Sequence, residues 1–132
     1  MTVVDTSAVV DFLLGIGAMS DVARLMEEEG ELAAPDLLVF ETLAVLRREA
    51  LRGGIPHERA AAAVNDLGDV PIQLFPSLPL RERACALRAN LTVADALFVA
   101  LGERLGETLA TKDAALVAAA RRHASVEVLQ LG

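Results

Sequence analysis

The chain has 132 residues, one domain's length, and 54% of them are hydrophobic, enough to bury roughly 68% of the unfolded surface in one core and to exclude wholesale disorder. Four Phe without Tyr or Trp exclude a sheet of stacking aromatics for single-stranded nucleic acid. Twelve Lys and Arg against nineteen Asp and Glu leave a net charge of -7, which opposes polyanion binding wherever no cation compensates the acids.

Thr2 to Val4 is a β-branched run that predicts a strand ending at Asp5, and Ser7 to Leu14 predicts a helix stopped by Gly15. Ser20 is placed to cap a second helix reaching Glu29, closed by Gly30, and Glu31 to Ala34 predicts a strand ended by Pro35. Asp36 is placed to cap a longer helix to about Arg52, broken by Gly53 and Gly54; Pro56 suits the first position of a helix to about Leu67. Val70 to Phe75 predicts a strand, Leu80 to Arg88 and Thr92 to Arg104 helices, Thr108 to Thr111 a strand, Ala114 to His123 a helix and Val126 to Leu129 a last strand. This alternation predicts an α/β fold over residues 1–132 as a single domain, with a central parallel sheet of about five short strands and helices on both faces.

A single cysteine, Cys85, excludes an internal disulfide, and the first residues lack the basic start of a secretory signal, so a reducing cytoplasm is the expected compartment. Charged residues interrupt every apolar run well short of the eighteen or so residues of a membrane span, so no membrane association is expected.

In open α/β sheets, ligands bind outside the carboxyl ends of the strands, and that rule sorts the acids. Asp5 directly follows the first strand and Asp113 closely follows the strand ending at Thr111, whereas Asp69 precedes its strand and should face the opposite edge. Asp5 alone also reads as an ordinary helix N-cap. Glu41 has Leu37, Leu38, Ala44 and Val45 as helical neighbours, so it is either a carboxylate at the wet edge of an apolar helix or one committed to a partner. Asp95, among Leu91, Thr92, Phe98 and Val99, repeats the pattern and is also placed to pair with Thr92 in a capping arrangement.

Asp5, Glu41, Asp95 and Asp113 have no obvious basic partner. Like charges about 4 Å apart repel by roughly 4 kcal/mol at an effective dielectric of 20, so a cluster of them needs protons or cations. Carboxylate oxygens suit Mg²⁺ or Mn²⁺. Zinc is disfavoured, because His57, His123 and the lone Cys85 share no ligand spacing.

Four separated segments together resemble the successive motifs of PIN-domain ribonucleases, most closely VapC-type toxins of bacterial toxin–antitoxin pairs. They are Val4-Asp5-Thr6-Ser7-Ala8; Glu41 followed by Leu46-Arg47-Arg48; Asn90-Leu91-Thr92 leading to Asp95-Ala96; and Leu109, Thr111 and Asp113. The resemblance runs from residue 3 to about residue 129. It implies a Mg²⁺- or Mn²⁺-dependent endoribonuclease, a homodimer, held inactive by a cognate small antitoxin. It also implies that Asp5, Glu41, Asp95 and Asp113 are the catalytic, metal-binding acids, supported by the hydroxyls of Thr6 and Thr111. No further acid follows Asp113 before Glu127, so a second metal has few dedicated ligands.

The expected chemistry is in-line hydrolysis of an RNA phosphodiester, with a divalent cation lowering the pKa of the attacking water and no side-chain nucleophile. Arg47, Arg48, Arg52 and Arg88, with Arg81 and Arg83, are candidates for offsetting the acidic charge along an RNA path. Lys112, the only lysine, reads as an exposed residue rather than a phosphate contact, and Asp11 as part of a solvated helix face. Two other classes compete. A haloacid-dehalogenase phosphatase also places an Asp after its first strand but needs an acid two residues on, where this chain has Ser7. A non-catalytic PIN-fold module that only binds RNA or protein is the other alternative.

Overall fold

The structure is a computed structural model that describes residues 1–132. Five parallel strands form one sheet in the order β3-β2-β1-β4-β5, where β1 is Val3–Val4, β2 Leu32–Pro35, β3 Ile72–Phe75, β4 Leu109–Thr111 and β5 Val128–Gln130. Register is set by Val3 opposite Ala33 on one side and Leu109 on the other, with Val4 opposite Ala110. Every residue of β1, β2 and β4 is buried, as expected of strands covered on both faces. The edge strands β3 and β5 are only partly covered.

Helices α1 (Thr6–Leu14), α2 (Met19–Glu29), α3 (Leu37–Leu51) and α4 (His57–Leu67) lie between β1 and β3 in the chain and pack on one another through α1 and α3. The chain then returns through a short 3-10 turn at Leu78–Leu80, α5 (Arg81–Ala86) and α6 (Val93–Leu105), and α6 packs on β1, β2 and β4. Because parallel crossovers are right-handed and these two series run in opposite directions across the sheet, outward from β1 to β3 and back from β3 to β4, they cover opposite faces. The last helix, α7 (Ala114–His123), packs on β4 and β5. Phe98, Leu32, Leu38, Leu46, Leu101 and Leu109 are the largest fully buried side chains of the core.

The order places β1 between β2 and β4, so the direction of chain progression reverses there. The crevice outside the carboxyl ends of β1 and β4 is the switch point where open α/β sheets hold ligands. Asp69, in the turn before β3, lies at the opposite edge as expected. No helix is long and apolar enough to cross a membrane.

The structure corrects several local expectations. Helix α2 starts at Met19 with Ala18 as its N-cap residue and no side-chain cap, so Ser20 lies inside it; the Ala18 N–H donates to the Asp11 carboxylate at 3.0 Å. Asp36 does not cap α3 either, because its Oδ1 accepts the Ser77 hydroxyl instead. Pro35 belongs to β2 rather than ending it, as the last residue of the strand, opposite Phe75. The predicted helix from Leu80 to Arg88 divides into the 3-10 turn and α5, and the strands at Val70 and Val126 begin two residues later, at Ile72 and Val128.

Candidate active site

Asp5 leaves β1 in extended conformation and is the N-cap of α1. Its Oδ1 accepts the N–H of Ala8 and the hydroxyl of Ser7, both at 3.1 Å, and its Oδ2 accepts the Thr111 hydroxyl at 2.5 Å. The capping reading is therefore realised together with placement at the switch point. Burial pushes the Asp5 carboxyl above its ordinary value; its three hydrogen bonds oppose the shift and the charge of Asp95 adds to it.

Asp95 sits half-buried in the first turn of α6, its N–H donated to the Thr92 hydroxyl at 3.2 Å, so Thr92 is the cap of that helix. Its carboxyl is also raised, by desolvation first and by the charge of Asp113, with the Thr92 hydroxyl opposing. Asp113 is the exposed N-cap of α7: its Oδ1 accepts the N–H groups of Ala115 (2.9 Å) and Leu116 (3.2 Å). The Thr111 hydroxyl, besides donating to Asp5, accepts the Asp113 N–H at 3.0 Å. Asp5, Asp95 and Asp113 thus form a chain in which each neighbour's charge is felt.

Glu41, half-buried on α3, reaches the site through a different contact: its Oε1 accepts the Thr6 hydroxyl at 2.6 Å, and Thr6 is the residue after Asp5. None of the four acids takes part in an ion pair. Nor does any group of three or more His, Cys, Asp or Glu side chains close around a common cation position. The carboxylates of Asp5, Glu41 and Asp113 are held by hydroxyls or backbone N–H groups rather than by cations. His57, His123 and Cys85 are exposed and far from forming a ligand set.

A cleft of about 430 Å³ opens on the Glu41 side, between α1 and α3, with Arg48 and Lys112 on its wall and Phe40 on its lip. One expectation fails here. Asp11 is not on a solvated face: it is 3% exposed, and its Oδ2 holds the Lys112 ammonium at 2.8 Å and the Ala18 N–H. Lys112 is exposed, as expected, and is also partnered by Asp11. The reason is long-range, since the turn at Gly17 and Ala18 folds over Asp11 and Lys112 arrives from 101 positions away. At Gly17, with φ +49, any Cβ would lie 2.2 Å from Asp11 Oδ2, so only glycine leaves room for this carboxylate. The glycine pair after α1 was the available signal. Ser7, passed over as a failed second acid, is a direct hydrogen-bond partner of Asp5.

The candidate arginines separate in the same way. Arg47 and Arg48 make no ion pair, whereas Arg52 is paired with Glu49, Arg83 holds Glu103 through two contacts, and Arg88 donates to the Cys85 carbonyl.

The PIN domain family model matches residues 2–122. Among curated relatives, Ribonuclease VapC1 of Mycobacterium tuberculosis is 42% identical over 118 residues, 89% of each chain, and Ribonuclease VapC12 of the same organism is 35% identical over 130 residues, 98% of this chain and 99% of that one. Among solved structures, PAE2754 from Pyrobaculum aerophilum superposes with a TM-score of 0.72 at 22% identity, over 96% of this chain and 81% of that one. VapBC2 from Rickettsia felis, bound to a DNA fragment from their promoter, gives 0.74 at 11% identity over 99% and 98%. A five-strand parallel sheet in the order shown, acids at its switch point and full-length relatives at this identity lead to one assignment: the chain belongs to the PIN-domain family.

Proposed function

We propose that the chain is a divalent-cation-dependent endoribonuclease and the toxin of a toxin–antitoxin pair, working in the cytoplasm as a homodimer. The observation that carries the catalytic part is the run of carboxylates at the switch point that has no cationic partner, two of them with their acid forms favoured by burial. Its relatives named Ribonuclease VapC support RNA as the substrate.

The donor set is all oxygen and carries formal negative charge, which fits Mg²⁺ or Mn²⁺. Asp5, Asp95 and Asp113, with Glu41 across from them, are the residues that would hold the ion. Bound there, a divalent cation supplies neutralising charge, a lowered pKa for water and stabilisation of the departing oxygen. The rest is the work of the chain. Thr111, Ser7 and the Ala8 N–H fix the orientation of Asp5, and Thr6 fixes that of Glu41. Water adds to phosphorus in line with the leaving ribose oxygen, which departs with a proton, so no covalent protein intermediate forms.

The antitoxin is supported by the outer side of α3, where Val39, Phe40, Leu43 and Leu51 are exposed, Phe40 by 74%. Apolar area of this kind on a soluble domain marks a protein contact. A tail lying along α3 with an Arg or Lys reaching the carboxylates would block metal electrostatically and RNA sterically.

The test is cleavage of single-stranded RNA by the purified chain with Mg²⁺ or Mn²⁺. Activity is expected to vanish with EDTA and in Asp95→Asn, and activity that survives both would end the metal reading. A folded chain that binds RNA without cutting it under any divalent cation would be a binding module. Expression alone should slow growth and coexpression with the antitoxin restore it.

A further inference from the structure

In a chain of net charge -7, the two cationic side chains that line the cleft beside Glu41 stand out. Lys112 reaches the wall from the β4–α7 connection and is held at 2.8 Å by Asp11, itself buried. An ammonium has three N–H donors; one goes to Asp11, and the side chain remains 42% exposed toward the cleft. Arg48 approaches from α3, two turns beyond Glu41, and has no ion-pair partner. Between them lie Val10, Ala44 and Val45, an apolar floor, with the hydroxyls of Thr6 and Ser7 toward the acids. At about 430 Å³ the cleft is in the size range of small-ligand sites.

A carboxylate site repels RNA, and the approach to it needs positive charge at a defined place. We propose that Lys112 and Arg48 form a phosphate clamp that seats the RNA backbone in this cleft beside Glu41, with Asp11 as the positioning residue for Lys112. This rests on the ribonuclease reading and deepens it. If Lys112 served only to neutralise Asp11, it would contribute nothing to RNA affinity. Arg88 and Arg52, engaged by local groups outside the cleft, have no part in the clamp.

The experiment measures fluorescence anisotropy of a labelled short single-stranded RNA with Asp95→Asn protein, which holds substrate without cutting it, over a range of salt. Lys112→Gln and Arg48→Gln in that background are each expected to weaken binding roughly fivefold and to reduce the salt slope by about 0.7. Arg24→Gln, in an exposed pair with Asp21, should change neither. Lys112→Gln leaves Asp11 without its cation and can lower stability, so Arg48→Gln, which breaks no bond within the fold, carries the test if that variant does not fold. Unchanged affinity and slope in Arg48→Gln, with wild type still cutting RNA, overturn the clamp alone. An equal loss in Arg24→Gln overturns it too, as a general charge effect. Wild-type protein that neither binds nor cuts RNA removes the ribonuclease reading and the clamp with it.

Discussion

The hydroxyl of Thr111 donates to Asp5 Oδ2 at 2.5 Å, across 106 positions of sequence. The Thr111 Oγ1 in turn accepts the N–H of Asp113, so one side chain ties the end of β1 to the start of α7. Thr111→Val keeps the shape and removes both bonds. The Asp5 carboxyl then loses the contact that most opposes its upward shift, and its proton is held to higher pH. We expect a stability loss of about 1–3 kcal/mol in thermal or urea melts. The rising limb of the cleavage pH profile should move to higher pH, and an unmoved limb would separate Thr111 from Asp5's proton.

Asp5 and Asp95 have folded-state values above their unfolded ones, so the fold favours their acid forms. Their contribution to stability is present below the unfolded value near 3.8 and is lost as pH rises through the folded values. Without metal, Asp95→Asn should therefore melt higher than wild type at pH 7, and the difference should shrink as pH falls toward the folded values. A lower melting temperature for the variant at pH 7 would contradict this. Activity, in contrast, should be lost in the variant.

A divalent cation relieves repulsion that exists only in the folded chain. At 100 times its dissociation constant, Mg²⁺ or Mn²⁺ should add about 2.7 kcal/mol. The rise in melting temperature should be much smaller in Asp5→Asn, whose amide oxygen still caps α1. Equal rises in the two proteins would place the ion elsewhere.

Thr42, on the inner side of α3, is fully buried, and its hydroxyl has no partner. An unpaired buried hydroxyl costs free energy that an isosteric methyl avoids. Thr42→Val should raise stability by about 1 kcal/mol in urea unfolding. A decrease would show that the hydroxyl has a partner in solution.

Glu103 is held at about 2 by the Arg83 guanidinium, with Ser125 donating twice. Stability from this group is full above its ordinary value of 4.5 and is lost as pH falls toward 2. Glu103→Gln should lower stability at pH 7 by about 1 kcal/mol and flatten the acid limb of the stability curve between those values. An acid limb as steep as wild type's would remove Glu103 from acid unfolding.

The parallel sheet and the placement of Asp5 and Asp113 at its carboxyl edge were legible because such a sheet announces itself by alternating β-branched runs and capped helices, and acids that follow a strand can only face its carboxyl edge; the strand order was not. Glu41 and Asp95 were legible for a different reason, a carboxylate among apolar neighbours at helical spacing. Local patterns of this kind operate within a few residues and so survive without tertiary knowledge. The tertiary structure alone decided what those patterns touch. Asp11 has Ser7, Ala8, Leu14 and Gly15 at helical spacing and looks like a wet edge; it is buried because the Gly17 turn and Lys112 close over it from outside the helix. The expected cap of α3 was lost for the same reason, since a distant hydroxyl took Asp36. Hydrogen-bond partners are chosen by proximity after folding. Sequence spacing bounds that choice only within a helix or a turn, so the Thr92–Asp95 pair could be read in advance, whereas the resemblance supplied only the hydroxyls of Thr6 and Thr111 and the fold decided that they meet Glu41 and Asp5.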